Sequence, residues 1–403
     1  MRPLTEFDLN DRGLGDRQPE VLARLREQCP VGYSTRYGGY WHLSSYDECL
    51  RAARDYQRFT TAQGLLIPPS GASIRVIPPD IEPPEHTSYR KMLMAYFSTG
   101  ATAAYEPMVT EIITRTLASF AERGHADLAA DFAVQIPPLV ITGVFGIAPE
   151  YCEEMRALGE QFLQTQVSDD LEVKRAAGLA LEKWVQDRID ERLGADDSNP
   201  PADVLARIVN SEIDGEPMPT ERILGMIRVL IMAGHETTIH SIASLLYRVA
   251  TTPGVRDRLL ADRSLVQKAV DESLRLDSPV LYLGRTVTGD TEVGGQSLAK
   301  DEKIALLYAA ANRDPERFEN PDVFDLDRDA RSHLAFGSGR HRCLGEHLAA
   351  LEMRVALNVV LDTIPDYQVA PGGEVRWGSG GVSCGVTTLP VVFTPVVAAV
   401  AGA

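Results

Sequence analysis

The sequence predicts a mainly α protein with a minor β portion, organised as one domain over residues 1–403. Three observations carry that expectation. From about residue 101 to 276, nearly every segment repeats its apolar residues at the spacing of an amphipathic helix. Runs with β character are short and sit near the ends, around Tyr40–Leu43 and again after residue 283. No internal repeat and no linker divides the chain.

Taken in order, residues 17–28 read as a short amphipathic helix, followed by a strand at Tyr40–Leu43 and a helix over Tyr46–Arg54. Residues 57–84 are rich in Pro, Gly and Ser and read as a long loop, the kind that is usually functional or disordered. Pro83-Pro84-Glu85 then opens a helix reaching Phe97. Helices are expected at 102–122, 137–146, 150–166, 171–194, 201–209, 219–251 and 263–276. The 219–251 segment is long and apolar on most of its circumference, so it should cross the interior. Short β runs follow at 284–289, 291–294 and 303–307, then irregular sequence from 312 to 342, a strong helix at 345–362 and a β-rich end.

Composition narrows the function. Lys plus Arg is 40 and Asp plus Glu is 57, a net charge of −17. That excludes the basic footprint a nucleic-acid partner needs. No run of about 18 apolar residues and no signal-type start is seen, so neither a membrane span nor export is expected, and the apolar tail Pro395–Ala403 is too short to span. Five cysteines without a CxxC pattern (Cys29, Cys49, Cys152, Cys343, Cys384) suggest free thiols in a reducing cytoplasm.

One of these cysteines is set apart by its neighbours. Phe336-Gly337-Ser338-Gly339-Arg340-His341-Arg342-Cys343-Leu344-Gly345 puts Cys343 in a Gly-rich loop directly before a helix start. Amide N–H groups and the helix dipole stabilise a thiolate there. The glycines let the backbone turn tightly and approach a flat group. Elsewhere, Glu272 and Arg275 are three apart and share a helix face. Gly234, Glu236, Thr237 and Thr238 interrupt the long apolar helix. Gly and Thr are poor interior choices, so a local kink or groove near Gly234 is expected. Glu236 beside Thr237 offers an acid and an alcohol for proton delivery.

Phe336, Gly339, Cys343 and Gly345 match FxxGxxxCxG, and the chain resembles the cytochrome P450 superfamily. Glu272-Ser273-Leu274-Arg275 resembles that family's ExxR helix, and Ala233-Gly234-His235-Glu236-Thr237-Thr238 its oxygen-activating motif. Ala311 to Pro315 and Phe324 to Arg328 look like its meander, and Pro83 to Arg90 like its haem-contacting helix. The matches run in order over roughly residues 40–395 and look most like the soluble bacterial, camphor-hydroxylase-like members.

The resemblance implies haem b buried between the long central helix and the Cys loop with its following helix, and Cys343 as the iron ligand. It implies His86, Arg90, Arg285 and His341 as partners of the haem propionates, with Ala233, Phe336, Gly337 and Gly345 against the haem. A buried triad of Glu272, Arg275 and Arg328 would fix the meander, with structural roles for His333 and Asn312. Val229, Gly234, Leu281, Tyr282, Leu283, Val382 and Ser383 would line an apolar substrate pocket beneath a cover at 61–80.

The activity implied is hydroxylation or epoxidation of a small-to-medium hydrophobic molecule with dioxygen. The alternative is oxidative coupling or cyclisation by the same haem chemistry. A peroxide-driven enzyme is disfavoured by the intact Glu236–Thr237 pair, which a haem sensor or carrier would not need. No flavin or ferredoxin portion is legible, so electrons should come from a separate ferredoxin or flavodoxin-like protein, docking on Arg331, Arg340 and Arg342.

Overall fold

Helix ends in this molecule follow local chemistry. The structure, a computed structural model, describes residues 2–11, 13–69, 74–165, 170–194, 203–213 and 215–396. Parts of the expected loop at 57–84 and helices at 150–166 and 201–209, and most of the apolar tail, lie outside the described residues. The principal helices are α1 (Gln18–Gln28), α2 (Tyr46–Arg54), α3 (Glu85–Phe97), α4 (Glu106–Ala118), α5 (Ile136–Phe145), α6 (Cys152–Thr165), α7 (Leu171–Leu193), α8 (Thr220–Ala233), α9 (Glu236–Thr251), α10 (Val266–Leu276) and α11 (Glu346–Thr363). α7 starts where the Asp170 carboxylate accepts the Glu172 and Val173 amides, meeting donors that a first turn leaves unpaired.

The extended runs build one six-stranded sheet from β1 (Leu4–Thr5), β2 (Val31–Ser34), β3 (Tyr40–Leu43), β4 (Phe59–Thr60), β5 (Leu283–Val287) and β6 (Lys303–Leu306). Its order is β1-β2-β3-β6-β5-β4. β3 and β6 pair in parallel, while β5 pairs antiparallel with both β6 and β4. A separate antiparallel pair, β7 (Arg376–Gly380) and β8 (Ser383–Thr388), packs against α9. The main core lies among α4, α5, α9, α10 and α11, where Ile113, Phe145, Leu246 and Val360 are fully buried. Burying such a side chain contributes about 1.5–3 kcal/mol.

The expected helix 219–251 is two helices. The chain leaves helical geometry at His235 (φ −89°, ψ −81°), between α8 and α9. Gly234 weakens the helix there, and the Thr237 hydroxyl donates to the Ala233 carbonyl at 3.0 Å, competing with the backbone ladder. The expected kink is therefore a full break. Seven residues before it, Arg228 donates to Glu182 of α7 and, at 2.6 Å, to the Ile74 carbonyl. A Cβ on Gly225 would stand 2.1 Å from the Arg75 carbonyl oxygen, so only glycine lets the loop backbone approach α8 this closely.

One segment was passed over in the sequence. Leu128–Phe145 is long and apolar enough to cross a membrane, but 67% of it is buried within the fold. It is also divided into a π turn, a 3-10 turn and α5. It serves as core.

Candidate active site

Cys343 sits at the start of α11 in a loop shaped by two left-handed glycines, Gly337 (φ 66°) and Gly339 (φ 75°). A Cβ on Gly339 would come within 2.8 Å of the Ala53 carbonyl oxygen, so the loop is pressed onto α2. The Cys343 amide donates to the Phe336 carbonyl at 2.8 Å and closes the loop. Cys343 has accessible surface, yet lies deep enough that burial pushes its thiol above the usual range. Its accessible face therefore looks into an interior space. The Gly345 amide, Arg90 and Arg342 favour the thiolate, against burial and Glu346.

The loop is held from behind by a buried charge cluster. Glu272 and Arg275 are fully buried and doubly bonded, at 2.7 and 2.8 Å. Arg328 and the Asp325 amide also donate to Glu272, at 3.1 and 3.0 Å. Arg275 reaches the carbonyls of Asn312, Pro321 and Val323, and Arg328 those of Glu319 and Asn320. The Asn312 side chain accepts the Leu334 amide at 2.6 Å, and the Leu334 carbonyl accepts the Gly337 amide at 2.8 Å. One continuous chain of hydrogen bonds thus runs from α10 to the Cys loop. His333, buried beside Phe336, is pushed down to about 4 by burial.

Cationic side chains gather near the same loop. Arg90 lies close enough to feel Cys343 and Glu346, and burial lowers it from its ordinary value. Arg285 is buried on β5, donates to the Gly284 carbonyl at 2.7 Å and bonds Tyr308. Among the described residues neither Arg90 nor Arg285 has an ion-pair partner. The His86 and His341 rings meet at 4.6 Å, and burial, with the charge of His341 and Arg90, pushes His86 down to about 4. His341 is already engaged: its Nε2 meets Glu82 at 3.0 Å and Thr61 at 3.3 Å, leaving Nδ1 for any further partner. Burial would raise Glu82, but bonds from His341, the Thr61 amide and Thr60 outweigh it and hold it at about 2.

On the far side of the helix break, a cavity of about 840 Å³ opens. Glu236 is on its wall and accepts the Ser383 hydroxyl. Of the expected pocket residues, Tyr282, Val382 and Ser383 line it, and Val229, Gly234, Leu281 and Leu283 do not. Leu281 is fully buried in the core around Tyr40, because its amide pairs with the Val382 carbonyl and its side chain turns the other way. Leu283 and Val229 are half-buried elsewhere, and Gly234 faces Ile141. The lining is more apolar than polar, as expected, but α6 adds Arg156, Glu160, Gln161 and Gln164 to the wall. Val229, Ala233 and Thr237, four apart along α8–α9, form a separate partly accessible stripe in which Ala233 is the exposed member. Thr237 is not on the cavity wall.

The expected docking arginines differ in pairing. Arg331 pairs with Asp329 and Arg342 with Glu346, so their charge is locally matched. Arg340 has no ion pair among the described residues and lies over the Tyr56 ring at 5.3 Å.

The Cytochrome P450 family model matches residues 163–364. The chain belongs to the cytochrome P450 family. This cytochrome P450 is 31% identical over 382 residues to the Vitamin D(3) 25-hydroxylase of Pseudonocardia autotrophica, covering 93% of each chain. It is 31% identical over 357 residues to the Steroid C26-monooxygenase of Mycobacterium tuberculosis, covering 87% of this chain and 94% of that protein. Its fold is like that of the cytochrome P450 CYP109Q5 from Chondromyces apiculatus, with a TM-score of 0.85, 26% identity, and 97% and 99% of the two chains covered. The family makes it a P450 monooxygenase with haem b as cofactor.

The residues present fit that cofactor. A thiol facing an interior space suits the iron, and two guanidinium groups without carboxylate partners suit the propionates. The partly accessible stripe Val229–Ala233–Thr237 offers small side chains against which a flat ring can lie. Arg156 and Glu160 were missed in the sequence, where α6 reads as an ordinary helix.

Proposed function

We propose that this P450 inserts one oxygen atom from dioxygen into a small-to-medium, largely hydrophobic molecule, by hydroxylation or epoxidation. All 403 residues would act as one cytoplasmic haem-thiolate unit supplied with electrons by a separate ferredoxin or flavodoxin-like protein. The names of two relatives, a steroid monooxygenase and a vitamin D(3) hydroxylase, support hydroxylation of carbon skeletons of that kind. The observation that carries the reading is Cys343: a thiol at the head of α11, turned into the interior, in a loop anchored to a buried charge cluster.

In this reading Cys343 is the iron ligand, and Arg90, Arg285, His86 and His341 receive the propionates. Phe336, Gly337 and Gly345 shape the proximal wall, and Ala233 leaves room on the other. Haem bound at the thiolate supplies the activation of dioxygen. The protein's own residues handle the proton and the substrate. The Glu236 carboxyl takes a proton from the cavity side, where the Ser383 hydroxyl orients it. The Thr237 hydroxyl, anchored on the Ala233 carbonyl, passes a proton to the oxygen side. Tyr282, with its hydroxyl donating to the Ile67 carbonyl at 2.9 Å, ties the covering loop to the pocket floor and helps exclude water.

Carbon monoxide tests the thiolate. The reduced, CO-bound protein should show the strongly red-shifted Soret band of thiolate ligation, and Cys343→His should move it to the position of imidazole-ligated haem. An unchanged band in that variant would remove Cys343 from the iron.

A further inference from the structure

We propose that the cavity selects a neutral or cationic molecule carrying several hydroxyl or amino groups, in preference to a plain hydrocarbon or a carboxylic acid. The proposal rests on reading this cavity as the substrate site, and it adds the substrate's chemical class.

The first observation is the face that α6 turns to the cavity. Arg156, Glu160, Gln161 and Gln164 line the cavity, and their spacing of four, one and three places them on one helical face. The deeply buried Met155 of α6 falls on another face, while the buried Cys152 lies one turn before Arg156. α6 therefore packs apolar residues into the core and leaves Glu160, Gln161 and Gln164 exposed at the rim of the ligand space, where a plain hydrocarbon would cover them without replacing their bonds to water. Groups that form hydrogen bonds lose them when covered by carbon alone.

The facing wall is polar as well. Glu236 and Ser383 stand there together, with His240 one helical turn beyond Glu236. The fit is close: a Cβ on Gly385 would lie 2.5 Å from the His240 Cβ, so β8 is seated directly on this histidine. Between these walls, Leu66, Ile67, Ile239 and Val386 provide an apolar surface for a carbon skeleton. The cavity is thus amphipathic, with polar walls meeting an apolar surface.

Charge decides between polar classes. Arg156 is the one cation on the described wall, and it already pairs with Glu153 at 2.6 Å and Glu160 at 3.2 Å. Glu160 and Glu236 are two carboxylates against it. His235 and His240 are both pushed down by burial, His235 to about 4, and add no positive charge at neutral pH. A ligand carboxylate would meet repulsion with no unmatched cation to receive it. Hydroxyl and ammonium donors would meet carboxylate and amide oxygens.

Three probes on one skeleton test this: androstane, an androstanediol and an androstane carboxylic acid, each titrated into the haem-loaded protein while the substrate-induced spin-state shift is followed. The diol is expected to bind about tenfold or more tightly than either other probe. The Gln161→Leu, Gln164→Leu double variant should close the gap between diol and hydrocarbon, with the CO-bound spectrum unchanged. The proposal is overturned if the hydrocarbon or the acid binds as well as the diol, if the diol fails to bind, or if the double variant keeps the gap. Loss of the thiolate spectrum in the wild type would instead strike the haem-thiolate reading itself.

Discussion

On the Cys343 side of the molecule, Glu272 and Arg275 are buried beneath the partly exposed Arg328, and their charges are matched by one another and by five backbone carbonyls. On the cavity side the central helix is broken at His235, and polar side chains from α6, α9 and β8 face an open space of about 840 Å³. The first region is rigid because its hydrogen bonds are saturated within the protein. In the second, Glu236 bonds Ser383 and Glu160 bonds both Arg156 and Gln164, but these groups border an open space where a ligand can reach them. The contrast suits a cofactor that never changes and a ligand that must enter and leave.

The largest expected effect tests the saturated region. Glu272→Ala removes the acceptor shared by the buried Arg275, by Arg328 and by the Asp325 amide. Breaking such a cluster costs about 3–5 kcal/mol. The meander and the Cys loop lose their common anchor, so purified protein should show a reduced haem-to-protein ratio and a lower Tm. A variant with normal haem content would mean that the loop is held by something other than this cluster.

A change across the helix break should separate stability from chemistry. Among the described residues the Thr237 hydroxyl bonds to the Ala233 carbonyl at the end of α8, a local contact that does little for stability. Thr237→Ala should therefore leave Tm nearly unchanged while reducing the coupling of electron use to product by up to about 10²-fold. Measuring product formed against reducing equivalents consumed decides it. Unchanged coupling would remove Thr237 from the proton path.

How far each region could be read from the sequence follows the same divide. The Cys loop and the Glu272–Arg275 pair were legible because their chemistry demands particular residues at particular spacings. The partners Asn312 and Arg328 came with the resemblance. The cavity wall was legible only in part. Tyr282 and Leu281 are adjacent on an extended segment, so their side chains point opposite ways, and the sequence did not say which faced inward. Arg156, Glu160, Gln161 and Gln164 were not singled out within the expected helix 150–166, because a polar face beside a ligand space has the same pattern as one facing solvent. The break at His235 was foreseen only as a kink, since Gly234 and Thr237 weaken a helix without saying how far it will open.

The docking face offers a finer test, because two neighbouring arginines differ in pairing. Arg342 is bound to Glu346, whereas Arg340 has no ion pair among the described residues. An unmatched rim charge steers an acidic partner more effectively than a matched one. At low salt, Arg340→Glu should slow reduction by a ferredoxin about three- to tenfold, and Arg342→Glu should slow it less. Equal effects, or none, would mean that this face does not receive the donor.

Acid should reveal which region yields first. Burial holds His333 behind the Cys loop and His235 at the helix break both at about 4, against an ordinary value near 6.5. Between those values the unfolded chain binds protons that the folded chain does not, so stability falls as pH is lowered from 6.5 towards 4. From pH 7 to pH 6 the loss is roughly 0.5–1 kcal/mol per histidine. The two sites should pay it differently. His235 lies on the cavity wall at a break in the backbone and can be protonated by local opening. His333 is enclosed by the saturated hydrogen-bond chain and can be protonated only when the whole region unfolds. Hydrogen exchange at pH 5 should therefore quicken across Met232–Ile239 before it quickens across residues 330–343, and His235→Asn should abolish that early phase. Earlier exchange at 330–343 would reverse the assignment of which side of the molecule is rigid.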